Sequence, residues 1–169
     1  MADPAERIRE IQEEMARRAA QPEESEQGTE TVLLFTLSEE QYAFPLAAVR
    51  EVSRVGAITP LPGLHPAVLG ASGLRGEVLA VLDLRRLLGL EEQPLTPDSR
   101  LLVVQHGEIT AALLADGVAD IAALPTEALL PPPDAEEVVS FLQAIARDGR
   151  TTIRLLDPAR LLEAVCHAQ

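Results

Sequence analysis

Val68-Leu69-Gly70-Ala71-Ser72-Gly73-Leu74-Arg75-Gly76-Glu77-Val78-Leu79-Ala80-Val81-Leu82-Asp83-Leu84 reads as two short apolar β segments folded about a turn. Val68–Leu74 and Glu77–Leu84 flank Arg75-Gly76, where glycine tolerates the positive φ that a tight turn demands. The stretch runs on through Arg85-Arg86-Leu87-Leu88, and Asp83, following an apolar strand, is placed to N-cap a short helix there. Strand, turn, strand and capped helix form one unit.

The unit returns near the other end of the chain. Leu156-Asp157-Pro158-Ala159-Arg160-Leu161-Leu162 repeats Leu82-Asp83-Leu84-Arg85-Arg86-Leu87-Leu88 at an offset of 74 residues. Before it, Val138–Ala146 and Thr151–Leu156 flank Asp148-Gly149, a dipeptide that favours hairpins. Val118-Ala119-Asp120-Ile121 likewise resembles Val49-Arg50-Glu51-Val52 at an offset of 69, so one small insertion reconciles the two matches. Either the chain holds two similar half-domains or a Leu-rich sequence matches itself by chance.

Other segments are also short. Thr31–Leu37 and Tyr42–Leu46 flank Ser38-Glu39-Glu40-Gln41, read as a hairpin loop, and Arg50–Val55 follows. Arg100–His106 and Glu108–Ala115 surround Gly107, and Gly117–Leu124 adds another strand. Pro60 and Pro62 exclude Ile58–Pro62 from a central strand position. Pro125–Pro133 reads as a proline-rich loop. Strands this short and frequent predict an all-β fold of small barrels rather than a parallel α/β sheet.

Ahead of them, residues 1–20 read as a helix. Asp3 is its N-cap, Pro4 its first helical residue, and Glu6 lies three after the cap. Ile8, Ile11, Met15 and Ala19 form a narrow apolar stripe, and Glu13–Arg17 and Glu14–Arg18 are i,i+4 pairs. Gln21–Glu30 is an acidic linker containing Pro22 and Gly28. Residues 1–28 are therefore expected to be dispensable for the fold.

Composition narrows the function. At 169 residues and 47% hydrophobic, the chain can bury one sizeable core, and with only Phe35, Tyr42, Phe44 and Phe141 aromatic that core must be aliphatic. The net charge is −13, and every basic residue is arginine. No basic stripe exists to displace counterions from phosphates or to dock on anionic lipid, so nucleic acid and membrane surfaces are excluded as partners. Cys166 is the only cysteine, which fits a reducing compartment. No apolar run approaches the ~20 residues of a membrane helix, and the N-terminus lacks the apolar stretch of a signal peptide, so a cytoplasmic protein is expected.

Catalytic and metal constellations are missing. His65, His106 and His167 have no metal-ligand spacing, and no Gly-rich phosphate loop is present. No enzyme, cofactor or metal is expected; a hydrolase or transferase on an all-β scaffold would need a nucleophile, a base and oxyanion donors in one place. Leu74-Arg75-Gly76-Glu77 has two readings: an ordinary surface turn, or an Arg whose planar fork pairs with a carboxylate at a partner surface. Glu51 is its candidate partner.

The pieces taken in order resemble the CheW family. Phe35-x-Leu37, Tyr42-x-Phe44 and Val49-x-Glu51-Val52 look like its opening strands, and Ile58–Pro62 resembles the stretch that follows. Gly70–Leu84 is similar to the family's most diagnostic segment, with Leu87-Leu88-Gly89 after it. Leu113-Leu114-Ala115-Asp116-Gly117-Val118 resembles its second-half strand pair, and Ile153–Leu162 its closing Leu-Asp strand and helix. The resemblance covers about 30–165. Gly73 stands where the family usually has Asn, and Ala71 where a branched aliphatic is common.

The resemblance implies two linked five-stranded SH3-like β-barrels with short helices, preceded by the N-terminal helix. Residues 1–29 would be helix and acidic linker, 30–165 the CheW-like domain and 166–169 a C-terminal tail. It further implies a non-enzymatic adaptor that couples methyl-accepting chemoreceptors to the CheA histidine kinase, cytoplasmic and recruited to membrane-associated receptor arrays. Val49, Glu51, Arg75, Leu113, Ala115 and Val118 would line the receptor side, and Gly70 and Leu74 the side facing the kinase's regulatory domain. The same adaptor role in twitching motility or developmental signalling, or an array filler that does not bind the kinase, are the alternatives.

Overall fold

Two-residue turns set the register of the sheets. The computed structural model describes residues 4–19, 28–132 and 141–167. Within it, β1 (Thr29–Leu37) and β2 (Glu40–Pro45) meet at Ser38-Glu39, both at positive φ. The expected four-residue loop is thus two residues long, and Glu40 and Gln41 belong to β2. After β3 (Val49–Arg54), β4 (Val68–Leu74) and β5 (Glu77–Asp83) turn at Arg75-Gly76, with φ of 48° and 83°. Two successive positive φ values match the right-handed twist of the flanking strands. β6 (Arg100–His106) and β7 (Ile109–Ala115) turn at Gly107-Glu108, and β8 (Gly117–Pro125) follows. β10 (Leu142–Asp148) and β11 (Thr151–Leu156) turn at Gly149-Arg150, one residue later than expected because Asp148 pairs with Thr151.

The remaining elements are helices and one very short strand. α2 (Leu84–Leu88) is capped by Asp83, whose carboxylate accepts from the Arg85 N–H at 3.0 Å, and it ends at Gly89 in the left-handed region. α3 (Pro158–His167) starts the same way, with Asp157 accepting from Ala159 N–H at 3.0 Å. The proline-rich stretch is not all loop: Leu129–Leu130 forms β9 against Ile145 and Ala146 of β10. Asp3, most of the linker, and the start of the strand expected from Val138 lie outside the described residues.

The internal repeat is structural. β3 pairs antiparallel with β6, and β8 with β1, each with one extra residue at matching positions, Arg50 and Ala119. β4 against β5 and β10 against β11 carry matching extra residues too, Leu69 and Gln143. Each half gives its first hairpin to the other: β2 runs parallel to β11, and β7 parallel to β5. One sheet therefore has the order β3-β6-β7-β5-β4, with the five strands expected. The other has the order β8-β1-β2-β11-β10-β9, five strands plus the two residues of β9.

Three apolar clusters follow from this arrangement. Leu79, Val81, Leu101, Val103, Ala112 and Leu114 fill the first sheet's concave side. Val32, Ala43, Leu124, Ala144, Ile153 and Leu155 fill the second's. The largest cluster lies between the sheets and takes the opposite face of the same strands, including Leu33, Phe35, Leu102, Val104 and Leu113. β1, β6 and β7 are buried on both faces, which explains their unbroken apolar runs. Phe35 packs on Phe44 with ring centroids 4.9 Å apart, within an otherwise largely aliphatic core.

The N-terminal helix α1 (Pro4–Ala19) is part of this core. Ile8 is 1% exposed in the inter-sheet cluster, and Ile11 packs half-buried against it. Gln12 Nε2 donates to the carbonyls of Leu46 (3.2 Å) and Val49 (2.6 Å), beside the 3-10 turn Leu46–Ala48 that leads into β3. Ile8 and Ile11 thus dock α1 on the body, and a helix with one buried anchor and satisfied backbone carbonyls beneath it stabilises what it covers, although the fold of residues 31–166 does not have to depend on it. Ile8→Ala is expected to cost about 2 kcal/mol, seen as a lower midpoint in urea unfolding. An unchanged midpoint would show that α1 rides on the surface.

Candidate functional site

In the first sheet, the outer strand β3 meets the β4–β5 turn at a charged seam. β3 and β4 stand at opposite ends of the strand order, yet Arg50 Nη2 lies 2.9 Å from Glu77 Oε2 and Arg75 Nε 2.9 Å from Glu51 Oε2. The sheet must curl for these pairs to form. The extra residue Arg50 in β3 lets Arg50 and Glu51 both reach the β4–β5 turn. The Glu51–Arg75 pair expected from the sequence is therefore formed. Its two members differ sharply in exposure: the Glu51 side chain is 14% exposed and Arg75 65%. A half-buried carboxylate holds a guanidinium whose remaining N–H groups face solvent.

The repeat places a second carboxylate to match. Asp120 of β8 corresponds to Glu51, each following the extra residue of its strand. Its partner is Arg7 of α1, at 2.8 Å. The Ile121 backbone N–H, 2.7 Å away, together with Arg7 holds the Asp120 carboxyl below the usual range despite partial desolvation. Because that pKa is depressed, this tie between α1 and β8 is present at neutral pH and fades as pH falls through it.

Between the two ion pairs lies an open cavity of about 930 Å³. Its walls are the first turn of α1, the end of β3, Leu74-Arg75 and the start of β8. Glu51, Arg75 and Val118 all line it, so three of the six residues assigned to the receptor side come together. Val49, Leu113 and Ala115 do not. Each is fully buried in the inter-sheet cluster, because alternation on β3 and β7 turns them inward. They present no surface to a partner.

The two residues assigned to the kinase side separate as well. Leu74 lines the same cavity as Arg75. Gly70 is buried under the chain's own backbone: Thr59 pairs with Ala71 through two 2.8 Å hydrogen bonds and crosses directly over it. The backbone that approaches Gly70 closely is that of Thr59, within the same chain. The segment Ile58–Pro62, excluded from central positions by its prolines, covers the edge strand β4.

Sequence reading missed Arg7, Arg54, Arg100 and Asp120 at the cavity. Asp120 was within reach, since the 69-residue offset sets it opposite Glu51; the arginines gave no pattern because they come from three separate elements. The ionisable residues considered for chemistry stay apart. His65 Nδ1 accepts from the Ala67 N–H at 3.0 Å, His106 lies 3.4 Å from Glu163, and Cys166 is exposed on α3. Among the described residues no three His, Cys, Asp or Glu side chains gather as a metal site, and no helix is long and apolar enough to cross a membrane.

Known proteins share this architecture. The family described as the CheW-like domain matches residues 31–166. Protein FrzA of Myxococcus xanthus is 36% identical over 134 residues, covering 76% of this chain and 82% of the relative. Chemotaxis protein CheW of Bacillus subtilis is 24% identical over 137 residues, covering 79% and 87%. The crystal structure of scaffolding protein TtCheW from Thermoanaerobacter tengcongensis superposes with a TM-score of 0.71 at 26% identity, over 76% of this chain and 88% of that one.

Proposed function

The chain belongs to the CheW-like family of chemosensory adaptors, and on that premise we propose that it joins the cytoplasmic tip of chemoreceptors to the regulatory domain of a CheA-type histidine kinase. It works by binding geometry and catalyses no reaction. It resides in the cytoplasm and is recruited to receptor arrays at the membrane. The observation that carries the reading is the family match along 31–166, which spans both sheets. The cavity at the Glu51–Arg75 seam supports a receptor surface there: it is open, carries the exposed Arg75 guanidinium and has Leu33, Val52 and Leu74 in its lining. A helix laid in such a groove would bury apolar side chains and anchor a polar one on Arg75.

Thr59 covers Gly70 and Leu74 lines the cavity, which favours a kinase-facing surface away from both. Identity to Protein FrzA exceeds identity to the Bacillus subtilis chemotaxis protein, which favours a second reading in which the same adaptor serves a different chemosensory circuit. Both readings predict direct binding to a kinase regulatory domain; an array filler would show none.

Calorimetry with the regulatory domain and a receptor tip fragment from the same genome tests the proposal. Arg75→Ala is expected to weaken receptor capture about tenfold while changing stability by only ~0–1 kcal/mol, because the pair is largely solvated on the arginine side. Wild-type receptor affinity in this variant, or early melting, would make Arg75 a structural residue. No binding of the kinase domain by the unmodified protein at high micromolar concentration would remove the coupling role.

A further inference from the structure

The cavity has an unbalanced charge. Four of the protein's 14 basic residues line it: Arg7, Arg54, Arg75 and Arg100. Only two carboxylates share the lining, Glu51 and Asp120, and each is already paired, with Arg75 and Arg7. Arg54 and Arg100 remain. They sit directly opposite each other at the end of the β3–β6 ladder. Like charges across a strand pair repel, and Arg54 has no carboxylate partner among the described residues. Arg100 is held in place, its Nη1 donating to the carbonyls of Pro97 and Ser99, both at 2.8 Å. Those bonds leave the other guanidinium nitrogens free to donate into the cavity. A chain of net charge −13 thus keeps two facing arginines in the lining of its groove, with Asp98 and Asp116 beside Arg100 only in the adjoining hollow.

The geometry points to an acidic occupant: Arg54 and Arg100 select a receptor helix that presents carboxylates to them, beside the one Arg75 would hold. This assignment rests on the receptor reading of the groove and adds the charge that the partner must carry. A guanidinium pair prefers carboxylates because each offers two parallel N–H groups to two oxygens. Four arginines against two carboxylates in the lining also orient an approaching helix, since its acidic end meets an excess of positive charge here.

The test uses the full chain and the purified cytoplasmic tip of a chemoreceptor encoded in the same genome, titrated at low and at moderate salt. The Arg54→Gln/Arg100→Gln double variant is expected to bind about tenfold more weakly and to lose most of its salt dependence, with a melting temperature close to wild type because relief of the repulsion offsets the two lost Arg100 hydrogen bonds. Arg54→Lys/Arg100→Lys keeps the charge and is expected to keep the salt dependence, which separates charge recognition from any loosening of the Pro97–Ser99 turn. Receptor binding that needs Arg75 but is unchanged in affinity and salt dependence in the Gln double variant overturns the selection by Arg54 and Arg100 and leaves the receptor site standing. No binding by the unmodified chain overturns both.

Discussion

Gly70→Ala is expected to destabilise the protein by at least about 3 kcal/mol, read as a large fall in the denaturant midpoint. A Cβ built on Gly70 lies 2.1 Å from the Thr59 carbonyl oxygen, 2.7 Å from its carbon and 2.9 Å from Pro60 Cα. All three are backbone atoms, so no side chain can swing away to make room. The φ of 153° adds conformational strain for any L side chain. Relief would require Thr59 to lift off β4, breaking both hydrogen bonds to Ala71 and uncovering the edge strand.

The second half of the molecule shows which feature demands glycine. Ala144 is the counterpart of Gly70, following the matching extra residue in β10. It carries a methyl group and does not share the positive φ. The irregular pairing alone therefore accepts a side chain; the crossing of Thr59 does not. A Gly70→Asp variant would fail kinase binding through loss of the fold, and the two effects should track each other across Gly70→Ala, Gly70→Ser and Gly70→Asp. A folded Gly70→Ala protein with the wild-type midpoint would show that Thr59 yields easily and would return Gly70 to the list of partner contacts.

Much of this fold is legible in the sequence because short-range chemistry sets it. Turn dipeptides, the two Asp caps and the alternation of apolar residues identify the hairpins and helices of both halves. The offsets of 69 and 74 locate not only the repeated units but also their matching irregular pairings at Arg50 and Ala119, and at Leu69 and Gln143. The exchange of hairpins between halves was hidden, since no local pattern tells β2 to run beside β11. The burial of Val49, Leu113 and Ala115 was hidden for the same reason: strands covered on both faces read as continuous apolar runs, with no outward side marked. Glu51 and Arg75 were legible as opposite charges on neighbouring segments. Arg54 and Arg100 were not, because their juxtaposition depends on the pairing of β3 with β6.

Asp116→Ala is expected to cost about 3 kcal/mol, for a reason that a simple count of lost bonds would understate. Asp116 lies between β7 and β8, where the chain passes from one sheet to the other. Its Oδ1 accepts from Arg85 Nη2 of α2, and its Oδ2 accepts from the Ser38 N–H in the β1–β2 turn at 2.7 Å. Its own N–H donates to the Thr36 carbonyl at 3.0 Å. One carboxylate thereby fastens α2, which follows β5 of the first sheet, to the β1–β2 hairpin of the second sheet. The Arg85 side chain is only 8% exposed, and it also donates to the Gln93 carbonyl at 3.0 Å. Removing the carboxylate strands a buried guanidinium, and that stranded charge is the larger part of the loss. Arg85→Met should cost less, about 1–2 kcal/mol, because Asp116 is 25% exposed and can be hydrated once its partner is gone. The double variant Arg85→Met/Asp116→Ala should then be more stable than Asp116→Ala alone, a sign reversal that equilibrium unfolding can read directly. Additive losses would mean that the pair contributes through separate contacts, and that the junction between the two sheets is held by the apolar cluster without this bolt.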